Sequence, residues 1–373
     1  MKKVIKIAII TLAVVVAAVG VLFVVIPLAT SKKAEAVLAE AFTEAGVPED
    51  MWSAGRVYYV PLLGHLTVEK LEFGERGVGA FLEAKKVTLA LNTNSEELFA
   101  GSVDIQGLSF SAANMGVTVK DLSLNDFSVD KTLFRDSPVK AVKKLGNIRL
   151  SDVLFMRKEQ RFFSLGRLNV DAGYAEGKGM LPSSVSLKEL AIDIRQLIPF
   201  SALRPEYRLS NLELKNSFSG GVYTASLVTD WANLFTIKAD LGLSLPRTFL
   251  ASGDISEFAL FDYKRDLMMD SLALTYTDKS LLDHVFELAG LSGGRAYAAE
   301  QLSETLMMFA VMGGVDAERF VAEVANFIEK PGKFELKTSL DSPVNFEGIS
   351  RNPFMANLSL SINGGKPFTT GGY

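Results

Sequence analysis

The feature that most constrains the fold is an apolar spacing of two, three and two residues, which recurs along much of the chain. The first four copies contain Leu66, Val68, Leu71 and Phe73; Val103, Ile105, Leu108 and Phe110; Val117, Val119, Leu122 and Leu124; and Ile148, Leu150, Val153 and Phe155. The third copy continues with the same rhythm to residue 129, and further copies occupy residues 163–170, 185–192 and 207–214. This recurrence indicates a repeated structural element.

Only a kinked, extended backbone turns this spacing into a single apolar face. On an α-helix, four residues at these offsets spread around most of the circumference, because each residue advances about 100°. On a regular strand, the offset of three sends the second pair of side chains to the other face. One extra residue at that offset, a β-bulge, returns all four side chains to one face. Residues near the offset tolerate such geometry, and they include Gly107, Asp121, Asp152, Gly166 and Asn211.

We therefore predict a mainly β protein with a strongly twisted, elongated antiparallel sheet over residues 57–277, apolar on one side. Two arrangements remain open from the pattern alone. In a partly closed sandwich or barrel, the apolar faces meet in a core. A sheet that curls without closing leaves an open apolar groove instead. In that case, the sixteen residues named in the first four copies are the candidate apolar-groove face.

Helical periodicity replaces the strand pattern near the C-terminus. Apolar residues separated by Gly and Pro predict three helices within residues 278–331, and Asp278 is the candidate N-cap of the first. Strand alternation resumes in residues 332–373, which end in a flexible Gly- and Thr-rich tail. We therefore expect the helices to be an insertion into one sheet. A further short helix is expected from Ser137 to Leu145, since Ser-Pro suits a helix start.

The N-terminus carries a long uncharged segment. Ile7 to Ala29 are 23 consecutive positions without charge, and about 20 apolar residues suffice to span a bilayer as a helix. A cleaved signal peptide is the alternative, but its apolar region is usually only about 7 to 15 residues. Residues 1–30 are therefore predicted to be a cytoplasmic tip and transmembrane anchor. Residues 31–56 are predicted to form an amphipathic stalk helix, with Leu38 and Phe42 on its apolar side, and a linker.

Composition excludes several classes of function. The net charge is −4, and no alternation of basic and aromatic residues suggests nucleic-acid binding. The chain has no cysteine, which excludes disulfides, thiolate catalysis and cysteine metal sites. Its two histidines, His65 and His284, have no ligand spacing and no G-x-S-x-G motif to accompany them. We therefore predict no enzyme activity, no catalytic residues, no cofactor and no metal.

The order of anchor, stalk and many short bulged strands resembles the AsmA-like anchored proteins of Gram-negative inner membranes. It also resembles a related family of anchored periplasmic proteins of unknown function. The closest stretch is Val57 to Val129, especially "VDIQGLSFSAANMGVTVKDLSLNDFSVD", residues 103–130. The resemblance covers the anchor and about two thirds of the chain, and it has no diagnostic motif. It implies a long β-groove that shields lipid tails, in a single-pass inner-membrane protein with its N-terminus in the cytoplasm and its bulk in the periplasm. The short length and the three helices depart from the large members.

Three functions follow as expectations. The first is a non-enzymatic protein that binds, shields or helps to move lipid tails along an apolar β-groove, with phospholipid or another apolar molecule as ligand. The alternative is an envelope structural or assembly factor that acts through protein–protein contacts. The third, which runs against the prediction of no enzyme activity, is a hydrolase of envelope polymers with either paired carboxylates in a cleft or His284 beside a serine. The expected partners are the bilayer, through Ile7 to Ala29, and a lipid or an envelope protein.

Overall fold

The computed structural model describes residues 35–36, 38–39, 42, 48–60, 64–74, 79–92, 98–112, 114–129, 142–175, 183–193, 206–219, 222–244, 268–289, 294–312, 317–338, 340, 343–345, 347 and 358–369. The predicted membrane segment, most of the predicted stalk and the last four residues lie outside them. The chain divides into two compact units, Met1–Pro182 and Ser183–Tyr373. We call them the first and second units.

The first unit contains an open antiparallel sheet whose strands follow one another in chain order. Its strands are β1 (Trp52–Ser53), β2 (Arg56–Val60), β3 (His65–Phe73), β4 (Ala80–Asn92), β5 (Leu98–Ala112), β6 (Met115–Val129), β7 (Val142–Arg157) and β8 (Gln160–Ala175). From β3 to β8, each strand pairs with the next, and β1 and β2 both pair with β3. Among the described pairings of this unit, β8 does not return to β2, so the sheet does not close.

The strands of this sheet carry the irregularity that the spacing predicts. Lys70 in β3, Gly107 in β5 and Asp152 in β7 occupy the offset of three, and each has a left-handed φ, of 53°, 62° and 47° respectively. The left-handed region is unfavourable for residues other than glycine, so its recurrence at one position of alternate strands marks a built feature of the fold.

The irregularity differs from an ordinary β-bulge in one respect. In an ordinary bulge, two residues of one strand face one residue of its neighbour. Here, Glu69 faces Lys86 and Leu71 faces Ala84, so one residue is skipped in each strand and the register does not shift. The same pairing recurs through β8. The skipped residues, which we call the step row, are Lys70, Lys85, Gly107, Lys120, Asp152 and Gly166.

Two glycines lie where a neighbouring strand approaches closely: Gly107 in the step row, and Gly146, which lies outside it. A Cβ atom on Gly107 would lie 2.6 Å from Lys85 Cδ and 3.2 Å from Lys85 Cβ. A Cβ atom on Gly146 would lie 2.7 Å from the Cβ atom of Asp126, a further left-handed residue with φ of 57°. Adjacent strands therefore approach closely at both positions, and a glycine accommodates the side chain that crosses from the neighbouring strand.

The second unit contains a further series of antiparallel strands, with three helices. Its strands are β9 (Ser184–Ile192), β10 (Tyr207–Ser219), β11 (Val222–Trp231), β12 (Phe235–Ser244), β13 (Met268–Asp278), β14 (Lys333–Thr338), β15 (Val344–Asn345), β16 (Leu358–Ile362) and β17 (Phe368–Thr369). The helices are α1 (Leu281–Ala289), α2 (Gly294–Met312) and α3 (Ala317–Glu329). The pairings follow chain order from β9 to β14, then join β14 to β16 and β16 to β17, while β15 pairs with β13.

The helices connect two strands that are themselves neighbours in the sheet. Tyr276 of β13 faces Phe334 of β14, although the three helices separate them in sequence. Phe327 of α3 contacts both rings, at centroid distances of 6.3 and 6.4 Å. The three predicted helices, and their insertion into a sheet, are confirmed. Their aromatic contacts place α3 against one end of these strands.

The first helix begins at Leu281, so its N-cap residue is Ser280, and the predicted N-cap Asp278 is instead the last residue of β13. The Asp278 carboxylate accepts a hydrogen bond from the Leu282 backbone N–H at 3.2 Å, as a helix-capping side chain does. The Leu234 carbonyl, in the β11–β12 turn, accepts three backbone N–H groups from residues 279–281 at 2.8 to 3.1 Å. The start of α1 is thereby tied to the end of a hairpin.

Two further helix predictions, at residues 137–145 and in the stalk, fall partly on residues that the structure describes. The predicted helix from Ser137 to Leu145 is wrong from Val142 onward, because β7 begins there and pairing with β6 overrides the local helix preference; its earlier positions lie outside the described residues. In the predicted stalk, the described residues are helical, and Leu38 and Phe42 are fully buried. None of the helices among the described residues combines the length and apolar character needed to cross a lipid bilayer.

The step predicts how substitutions of two glycines will differ. Gly107→Ala should lower the free energy of unfolding by about 1 to 2 kcal/mol, because alanine is strained at a left-handed φ and its Cβ meets Lys85. Gly101→Ala is the control, since its Cβ would approach no atom closer than 3.8 Å. Chemical denaturation followed by circular dichroism measures both. Equal stabilities of the two variants would contradict this account of the step.

Candidate functional site

The sixteen predicted groove residues lie in four rows that cross the first sheet. Residues directly opposite each other in an antiparallel pair share a face, and the pairings connect them from β3 to β8. Row A is Leu66, Leu89, Val103, Leu124, Ile148 and Val170. Row B is Val68, Val87, Ile105, Leu122, Leu150 and Leu168. Row C is Leu71, Ala84, Leu108, Val119, Val153 and Leu165, and row D is Phe73, Leu82, Phe110, Val117, Phe155 and Phe163.

The step row runs between rows B and C. Every strand from β3 to β8 contributes one step-row residue between rows B and C. Rows A and B therefore stay aligned with rows C and D across the sheet. Burial agrees with a shared face, since Val68 before the step and Leu71 after it are both buried, as are Val119 and Leu122. We call the surface formed by rows A to D the apolar face.

Sequence reasoning overlooked the contribution of β4 to this face. Leu82, Ala84, Val87 and Leu89 have the same offsets of two, three and two, and all four are buried. The small side chain of Ala84 made the copy less conspicuous among larger apolar residues. The spacing itself was the signal that would have found it. The copy at residues 163–170 also adds four residues of β8 to this face, and the predicted set of sixteen does not contain them.

Burial of the apolar face decreases across the strands, from β3 and β4 to β6, β7 and β8. In β3 and β4, Leu66, Val68 and Leu89 are 0% exposed, and the ring of Phe42 lies 5.2 Å from that of Phe73. In β6 to β8, by contrast, Leu124 and many of its neighbours in rows A and D are only partly buried. Phe42 of the N-terminal helical segment therefore packs against β3. The far strands, β6 to β8, keep part of their apolar surface accessible to solvent.

The inner rows are shielded better than the outer rows in the far strands. Val119 and Val153 of row C and Leu122 of row B are buried, whereas Val117 of row D and Leu124 of row A are partly exposed. In these strands, the inner rows are therefore less accessible to water than the outer rows. Such a surface suits an apolar ligand that lies along the rows and displaces water from them.

Aromatic rings concentrate in row D. Phe155 and Phe163 are stacked at a centroid distance of 5.8 Å, with an angle of 18° between their planes. Phe162, an extra residue in β8 at a register irregularity, contacts Phe155 edge-on at 5.4 Å. Row D thus gives the apolar face one aromatic margin, while row A is wholly aliphatic.

The opposite face of the same strands carries mostly polar side chains, and Phe81, Leu154 and Met156 are apolar exceptions. Ser151 donates a hydrogen bond to the Asp121 carboxylate at 2.9 Å, and Glu69 lies opposite Lys86. In the step row, Lys120 Nζ lies 3.2 Å from the Asp152 carboxylate in an exposed ion pair. Exposed pairs of this kind contribute little to stability, but they keep this face hydrated. The sheet is therefore amphipathic, with one face for water and one for apolar groups.

The histidine of the hydrolase hypothesis lies in the second unit, in a structural setting. His284 of α1 is 3% exposed, and its Nε2 atom lies 2.5 Å from the hydroxyl oxygen of Tyr207 in β10. Its Nδ1 atom has no hydrogen-bond partner and lies 3.8 Å from a carboxylate oxygen of Glu287. A hydrolase of this type needs a serine beside the histidine, whereas here a tyrosine occupies that position. The pair links α1 to β10.

A second polar cluster also serves the helix attachment. Tyr276 donates a hydrogen bond to the Asp278 carboxylate at 2.6 Å. Burial raises the pKa of Tyr276, and this hydrogen bond and the negative charge of Asp278 raise it further. Tyr276 therefore remains a neutral donor at physiological pH and keeps the capping carboxylate in place. Among the residues that the structure describes, no group of three His, Asp or Glu side chains is arranged to hold a metal ion.

Comparisons with known proteins add one match. A family model described as "Uncharacterized protein" matches residues 229–362, which run from the end of β11 to the end of β16 and include the three helices. The match spans well under half of the chain and attaches no activity to it. No curated protein matches the chain.

The His284 contact predicts a local stability effect. Tyr207→Phe should lower the free energy of unfolding of the second unit by about 1 to 3 kcal/mol, because it leaves both ring nitrogens of a buried histidine without a hydrogen bond. Tyr58→Phe is the control, since its hydroxyl makes only a 3.4 Å contact with Glu69. Hydrogen exchange of the α1 backbone measures the effect. Unchanged protection of α1 in Tyr207→Phe would show that the contact does not hold the helix.

Proposed function

We propose that this protein binds lipid tails on the apolar face of its first unit and shields them from water. The observation that supports this most is the continuity of rows A to D across six strands, with no polar side chain in any of them. The partial exposure of these rows in the far strands leaves them accessible to a ligand. The open, one-sided sheet favours an exposed groove over a closed sandwich core.

Acyl chains match this surface better than ligands with polar groups do. The rows offer no hydrogen-bond donor or acceptor from a side chain, so a ligand that needs such partners would lose them on binding. Neighbouring strands lie about 4.8 Å apart, so each row runs about 24 Å from β3 to β8. Each buried methylene group contributes about 0.8 kcal/mol, and a chain that follows part of a row gains substantial affinity from burial alone.

We further propose that the protein is anchored in the inner membrane by Ile7 to Ala29, with its bulk in the periplasm. The 23-residue uncharged segment and the resemblance to anchored β-groove proteins support this. Such an anchor would hold the apolar face near a source of lipid.

The anchor has a direct test. In spheroplasts, externally added protease should degrade the two units, and an epitope at residue 1 should remain protected. The matched variant lacks residues 7–29, and it should no longer sediment with membranes. Protection of the units from protease in intact spheroplasts would overturn this topology.

The lipid proposal is tested by crosslinking at two adjacent positions. A photoreactive amino acid replaces Phe110, which lies in row D, or Ser109, which precedes it in β5 on the polar face; both are partly buried. After irradiation in cells, mass spectrometry should find lipid adducts at position 110 and about tenfold fewer at position 109. Native mass spectrometry of the gently purified protein should also find bound phospholipid.

The same experiment distinguishes the alternative of an envelope assembly factor. Val285 and Tyr297, on α1 and α2, are large apolar residues with substantial exposure, and such residues are candidates for a protein contact. A single protein adduct with the photoreactive amino acid at position 285 or 297, and no lipid adduct at position 110, would favour that alternative. Equal lipid labelling at positions 109 and 110, together with a lipid-free native spectrum, would overturn the lipid proposal.

A further inference from the structure

The apolar face has a fifth row that sequence reasoning did not single out. Beyond row D, the pairings join Ala80 to Ala112, Ala112 to Met115, Met115 to Arg157 and Arg157 to Gln160. Arg157 lies two residues after Phe155, and β7 pairs with β6 without a register shift over these residues, so both side chains share the apolar face; the extra residue of the β7–β8 pairing, Phe162, lies in β8. We call this set row E.

Arg157 is the only charged residue at the described positions of rows A to E. It is exposed, and it follows the stacked phenylalanine pair of row D at the margin of the face. The nearby Arg161 is paired with Met156 and therefore belongs to the opposite face. The face thus ends, on this side, in one guanidinium group next to aromatic rings.

The hairpin that carries Arg157 is held in place. The backbone N–H of Lys158 donates a hydrogen bond to the Asn114 carbonyl at 2.7 Å, which joins the β7–β8 turn to the β5–β6 turn. Lys158 and Glu159 have left-handed φ values of 49° and 63°, as the two central residues of a tight hairpin turn require. The guanidinium group is therefore attached to a defined edge of the apolar face.

We propose that Arg157 binds the phosphate of a phospholipid whose acyl chains lie on rows A to D. A guanidinium group offers paired donors that match phosphate oxygens, and it is weakly hydrated enough to act beside aromatic rings. An amphipathic ligand has one charged end and long apolar chains, and the five rows provide the complementary order of groups. This assignment rests on the proposed lipid function and names the class of lipid.

The test compares two lipids with identical acyl chains, phosphatidylglycerol and diacylglycerol, each fluorescently labelled and presented to the full-length protein in detergent. The wild-type protein should bind phosphatidylglycerol about tenfold more tightly, as a charge-assisted hydrogen bond predicts. Arg157→Gln should abolish that preference without changing diacylglycerol binding, and Arg157→Lys should retain part of it. Inorganic phosphate at millimolar concentration should displace neither lipid.

Arg149→Gln is the matched control. Arg149 is on the same strand and is also exposed, but it lies on the polar face, so its substitution should leave the preference intact. Equal affinity of the wild-type protein for both lipids would overturn the role of Arg157 while leaving the lipid function in place. Binding of neither lipid would overturn both. An equal loss of preference in Arg149→Gln would show a general charge effect and would also overturn the assignment.

Discussion

The close approach of neighbouring strands at the step row is the constraint on which the first unit depends. A residue inserted into one strand alone would shift the register with its neighbour and carry half of its apolar side chains to the other face. In this sheet, the extra residue Lys70 in β3 is matched by an extra residue, Lys85, in β4. Each following strand also has one extra residue at this position, up to Gly166 in β8. Rows A to D remain aligned because no strand takes the step alone.

The matched step also explains which residues occupy it. A left-handed backbone alternates with an ordinary one from strand to strand, and a glycine stands where a side chain crosses from the neighbour, as Gly107 does beneath Lys85. A sheet built in this way has one apolar face and one face on which polar side chains predominate. The proposed binding of acyl chains, and of their phosphate by Arg157, depends on that separation.

Much of the strand arrangement could be predicted from spacing, because side-chain alternation is a local property of extended chains. The pairing of the strands could not, since a repeated pattern is equally compatible with several registers. The offset pointed to Asp121 and Asn211, but the structure places Lys120 and Ser210 opposite the left-handed residues Asp152 and Glu189.

The candidate site shows the same division between local and tertiary information. Most large apolar residues of rows A to D were evident from their spacing, but Ala84 was not, because a small residue fills a row only in the context of its neighbours. Arg157 was also overlooked, since nothing in the sequence indicates that Met115 of β6 lies opposite it. The start of β7 at Val142 was assigned to a helix for a related reason, because only its pairing with β6 outweighs the local helix signals after Ser137.

The distribution of left-handed residues has a consequence for how such a chain can change in length. In the step row, the left-handed residues Lys70, Gly107 and Asp152 belong to the first strand of successive hairpins, and Glu189 repeats this in β9 of the second unit. The repeating module is thus a pair of strands. Gain or loss of a whole hairpin would preserve the alternation, whereas gain or loss of one strand would place two like strands side by side. Evolution of this architecture is expected to proceed by even numbers of strands.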